Sequence, residues 1–83
     1  MFRVEIKRAG QTLETLASAD YFTRENAFRG IEFLAESAGV EIWEYARGML
    51  AAFNLYGIES SVGYAVIYLT SDCEYAAHVT GVE

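Results

Sequence analysis

The chain has 83 residues, enough for one domain and not for two, and the expected unit is a single domain over 1–83. A hydrophobic content of 53% with twelve aromatic residues excludes the low-hydrophobicity, high-charge class of disordered chains. The net charge is −6, and all six basic residues (Arg3, Lys7, Arg8, Arg24, Arg29 and Arg47) precede position 48, a balance that disfavours direct nucleic-acid binding and favours attraction to basic surfaces.

A chain of this size buries roughly 60–65% of its surface on folding, so its apolar content is high for one small core and points to a partner surface or a dimer. No apolar run approaches the length of a membrane span. The opening MFRVEIKR alternates charge with hydrophobe, unlike a signal peptide. One cysteine cannot form an internal disulfide, and zinc-ligand spacing is absent, so no metal or cofactor is expected and the cytoplasm is the expected compartment.

Residues 2–8 alternate Phe2, Val4 and Ile6 with Arg3, Glu5 and Lys7, the period of a half-buried strand. Ala9-Gly10 offers a turn, and 11–17 can return as a second strand, with 18–22 as a connector. Thr23 is placed to cap a helix over 24–38, with Glu25 in its first turn and Gly39 at its end. Ala27, Ile31, Leu34, Ala35 and Ala38 recur at helical spacing along it, with Phe28 on the flank.

A second helix is expected almost at once. Ile42, Tyr45, Ala46, Met49, Leu50 and Phe53 form its stripe and Gly57 its end. The rival reading makes VEIWEY, 40–45, an extra strand. Residues 62–70 and 74–82 then read as two further strands about a Ser71-Asp72 turn. The expected class is α+β, an antiparallel sheet in ββααββ order with two helices packed on one face.

Cys73 and His78, the only thiol and imidazole, lie five apart beside Asp72. Along a strand that spacing sets them on opposite faces roughly 17 Å apart. Asp72 and Glu74 disfavour a thiolate at Cys73, and no glycine-rich phosphate loop is present. No enzyme is expected. An exposed Cys73 could instead meet its twin across a two-fold axis.

Two surfaces suit binding. Glu32 and Glu36 share a helical stripe with Glu25 and Arg29, and Glu41 and Glu44 follow at the start of the second helix. Glu32, Glu36, Glu41 and Glu44 are thus expected to form an acidic cluster at the helix–helix corner, either as a partner site or as a solvated face. On the third strand, Val62, Tyr64, Val66 and Tyr68 line one face and Ala65, Ile67 and Leu69 the other. A strand apolar on both faces is either central and covered or presents its tyrosines to another molecule, and Tyr75 is expected to join Tyr64 and Tyr68 there.

In length, acidity, compact α+β order and lack of catalytic motifs, the chain resembles the small acidic proteins that phages and other mobile elements direct against host defences, the anti-CRISPR proteins above all. The likeness is one of type rather than of motif. It implies an inhibitor acting in the host cytoplasm by steric and electrostatic competition, with Glu32, Glu36, Glu41 and Glu44 standing in for phosphates against a basic channel such as that of a CRISPR effector subunit. Two other readings stay open: a homodimeric regulatory or structural module of the antitoxin kind, and a small ligand-binding domain or enzyme with an unrecognised site.

Overall fold

The computed structural model of the chain describes residues 1–10, 13–56 and 64–81, without the side chains of 52–56, 64 and 65. The alternation in the opening residues produces β1, Phe2–Arg8, which buries Val4 and Ile6 on one face and turns Arg3, Glu5 and Lys7 to the other. Glu14–Tyr21 forms β2, antiparallel to β1. This strand begins later than expected and runs through Tyr21, so most of the anticipated connector is strand. The cause is a register shift between Ile6 and Lys7: Ile6 pairs with Ala17 and Lys7 with Thr15, which leaves Leu16 as the extra residue of a bulge. Of the connection before it, residues 11 and 12 lie outside the described residues.

Arg24–Ser37 forms helix α1. The Thr23 hydroxyl accepts from the Asn26 N–H at 3.1 Å, as an N-cap should. At the other end Gly39 N–H donates to Glu36 O and Val40 N–H to Ala35 O, the two bonds of a Schellman ending. That ending puts Gly39 at φ 75°, a conformation glycine adopts without steric cost. Within α1, Gly30 is buried against the Tyr21 ring of β2, where a Cβ would stand 2.2 Å from the ring carbon Cζ. The missing side chain lets α1 lie directly on the sheet.

Glu44–Tyr56 forms α2, which starts later than its apolar spacing suggests. Residues 40–43 are neither helix nor strand. Val40 and Ile42 are buried and Glu41 and Trp43 exposed, so the segment alternates with a period of two without being the extra strand of the rival reading. The Trp43 N–H donates to Leu69 O at 3.0 Å, and the Trp43 carbonyl accepts the first α2 bond from Arg47 N–H at 3.2 Å. The stripe of α2 is carried by Ala46 and Leu50 in the core with Met49 half-buried. Tyr45, expected to be buried, is exposed. Phe53 as a side chain and Gly57 lie outside the described residues.

Tyr64–Tyr68 and Tyr75–Gly81 are strands β3 and β4. The sheet is antiparallel with order β2-β1-β4-β3, and both helices pack on one face, α1 over β1 and β2 and α2 against α1 and β3. The fold is the expected α+β class in ββααββ order. Val4, Ile6, Ile31, Leu69 and Ala77 form its innermost core. Among the described residues β3 is an edge strand, not a central one. Ile67 and Leu69 face the helices while Val66 and Tyr68 are exposed, the split that the alternation predicts. Val62 lies outside the described residues, as does the side chain of Tyr64.

Candidate functional site

The helix–helix corner brings Glu32, Glu36 and Glu41 around one depression of about 410 Å³, with Gly39, Val40, Ile42 and Arg47 completing its lining. The Schellman ending is what turns the chain so that Glu41 meets Glu36. Glu44, the first residue of α2, is exposed but does not line this depression. A cation that spacing along either helix could not reveal sits within the cluster: Arg47 Nη1 donates to Glu32 Oε1 at 3.2 Å. Arg29 and Glu25, which share the helical stripe of Glu32 and Glu36, also pair, at 2.7 Å across one helical turn.

Among the described residues, five of the six basic side chains are in ion pairs. Arg3 pairs with Asp20, Lys7 with Glu5, Arg8 with Glu74, Arg29 with Glu25 and Arg47 with Glu32. Among the described residues no ion pair engages Glu36, Glu41 or Glu44. Of the five described acids outside any ion pair, Glu14, Glu36, Glu41, Glu44 and Asp72, three therefore lie where α1 gives way to α2.

Aromatic side chains flank it. Phe33 is 74% exposed and lines a second depression between the helices, which shares Glu32 and Arg47 with the acidic one. Beside Glu41 and Glu44, Trp43 (40% exposed) stacks at a tilt on Tyr45 (64% exposed), with ring centroids 5.2 Å apart. These rings carry large apolar area next to carboxylates; the helical stripes left out Phe33 and Trp43 and counted Tyr45 on the buried side.

The open face of the sheet differs from expectation at Tyr75. Tyr68 lies there as expected, 54% exposed, and pairs with Ala76. Tyr75 does not join it. It pairs with Arg8 and packs half-buried against the core, because it is one residue out of phase with Ala76 and His78. Cys73 is exposed, as expected, in the β3–β4 turn. The strand argument that separated it from His78 fails, since β4 begins only at Tyr75. Cys73 and His78 line the same open-face depression of about 300 Å³, together with Lys7, Leu13, Val66 and Tyr68.

The turn that holds Cys73 is tightly tied. Cys73 N–H donates to Thr70 O, while the Asp72 carboxylate accepts from Thr70 Oγ1 and from the Glu74 N–H. Those hydrogen bonds, that of the Thr70 hydroxyl first, hold the Asp72 carboxyl below its ordinary value. Cys73 itself sits at φ 59°, the left-handed region. On β4, partial burial and then the nearby Lys7 ammonium lower the His78 pKa, with Glu5 opposing them. Among the described residues no group of three carboxylate, imidazole or thiol side chains is placed to hold a metal ion, and no helix is long and apolar enough to cross a membrane.

Comparison with protein-family models, with curated proteins and with solved structures finds no match to this chain.

Proposed function

We propose that this domain is a non-enzymatic inhibitor that binds a basic protein surface through its helix corner, and that the surface is a nucleic-acid channel of a host defence complex, with a CRISPR effector as the first candidate. The observation that carries the reading is a local one: among the described residues, Glu36, Glu41 and Glu44 are engaged by no ion pair and lie together at the helix corner beside the exposed rings of Trp43, Tyr45 and Phe33. Carboxylates of this kind accelerate encounter with lysine- and arginine-rich surfaces, and aromatic rings that become buried slow dissociation. The Glu32–Arg47 pair divides the acidic depression from the apolar one and gives the partner a polar feature against which to register.

The test is competition. Purified protein is added to reconstituted CRISPR effector complexes while target-DNA binding is followed, with the triple variant Glu36→Lys/Glu41→Lys/Glu44→Lys as comparison. The reading expects loss of DNA binding, rescue by the variant, and an association rate that falls several-fold between about 20 and 150 mM salt as screening sets in. DNA binding that persists with every effector type at saturating protein, or inhibition indifferent to the three substitutions, would refute it.

A further inference from the structure

Antiparallel ladders alternate between pairs that exchange both main-chain hydrogen bonds and pairs that exchange none. Leu69 N–H donates to Tyr75 O, which fixes the phase of the β3–β4 ladder. Ile67 with Ala77 is then a bonded pair, and Val66 with His78 and Tyr68 with Ala76 are non-bonded ones. The N–H and C=O groups of Tyr64, Val66 and Tyr68 therefore point away from β4, toward the outer edge of the sheet. Among the described residues no strand pairs with that edge.

The two edges of the sheet are defended unequally. β2 carries Glu14 and Asp20 and is bent by its bulge, devices that discourage strand addition. β3 reads Tyr-Ala-Val-Ile-Tyr, with no charge, proline or bulge. Its open-face side chains Val66 and Tyr68 are exposed. On a chain of net charge −6, it is the edge at which two copies can meet without opposing carboxylates.

We propose that β3 pairs antiparallel with β3 of a second copy, with the two-fold axis passing through Val66. This register is the one that the ladder phase favours. Val66 faces the second copy's Val66 as a bonded pair, and Tyr64 faces the second copy's Tyr68 as another. About six main-chain hydrogen bonds then form, and every outward group of the three residues is satisfied. The axis runs perpendicular to the sheet, so one continuous sheet results with all helices on one side. The Cys73 turns fall at opposite ends of the joined edge, so no intersubunit disulfide forms between them.

The experiment measures mass in solution. Sedimentation of the wild-type protein from about 1 to 100 μM should show a dimer, unchanged by Cys73→Ser. Val66→Lys, which sets two ammonium groups against each other on the axis, should weaken dimerisation at least tenfold, with circular dichroism reporting its fold. As a check independent of that variant, Val66→Cys in the Cys73→Ser background should oxidise to a covalent dimer, because bonded pairs hold Cα atoms about 5.5 Å apart, within disulfide reach. A wild-type monomer at the highest concentration overturns the proposal. So does a Val66→Lys dimer as tight as wild type, or a wild-type dimer whose Val66→Cys variant does not cross-link.

Discussion

Replacing Gly30 with alanine should destabilise the domain, although the same change at an ordinary helical site would stabilise it by about 1 kcal/mol. The reason is the Tyr21 ring, whose Cζ and Oη would each lie 2.2 Å from the new Cβ and whose Cε1 would lie 2.7 Å away. Comfortable carbon–carbon contact needs about 3.5–4.0 Å, so either the helix lifts or the ring leaves its seat. Overpacking of this kind costs about 1–3 kcal/mol, and losing the burial of a large side chain costs a comparable amount. Set against the propensity gain, the net loss is about 1–2 kcal/mol, a melting temperature lower by roughly 4–8 °C per kcal/mol in a domain of this size. Urea and thermal unfolding followed by circular dichroism measure it. The decisive comparison is the Tyr21→Ala background, where the ring is gone and Gly30→Ala should turn stabilising by its propensity alone. Stabilisation in the wild-type background, or an equal effect in both, would refute the close approach of α1 to β2.

Cys73→Gly should raise stability by about 0.5–1 kcal/mol, since it removes the left-handed penalty at φ 59° at some cost in unfolded-chain entropy, whereas Cys73→Val should lower it; melting temperatures decide between them. His78 should make stability fall with acidification. Its folded pKa is held below the ordinary 6.5 by burial and Lys7, against Glu5, so the unfolded chain takes up the proton first. The contribution is complete above pH 6.5 and is lost as pH falls through the lower folded value. Urea midpoints at pH 7.5 and pH 5 should differ, and the difference should shrink in His78→Gln.

Local signals made much of the fold legible. Alternation in Phe2–Arg8 specified β1 and its buried face, Thr23 and Gly39 bounded α1, and the period of two in β3 placed Ile67 inside and Val66 outside. What stayed hidden depended on a single inserted residue or on distant partners. The bulge at Leu16 reverses strand parity, so alternation alone could not locate β2. Ile42 fits the α2 stripe and an extended segment equally well, and the Schellman turn with the Trp43–Leu69 bond selects the second. Nothing in the neighbourhood of Tyr64 tells an edge strand from a central one, because strand order is set by β4 inserting beside β1. The acidic corner was legible at Glu36 and Glu41. The Glu32–Arg47 pair was not, because it depends on how two helices lie against each other.

Charge and its absence divide the surface in a way that bears on both proposals at once. Contacts between copies of an acidic chain are opposed by their own field, and in solution that opposition is relieved only over distances beyond about 8 Å at physiological salt. An uncharged edge therefore suits self-association, and a corner with unmatched carboxylates suits a basic partner; exchanging the two assignments would set like charges face to face. The perpendicular two-fold expected for β3 pairing keeps both helix layers on one side of the joined sheet. Two acidic corners then face the same direction, and a target with two basic stretches meets them as a bivalent ligand. The second contact becomes intramolecular, at an effective concentration set by the rigid sheet rather than by the bulk. A domain of this size could hold a large charged channel in that way without a large interface of its own.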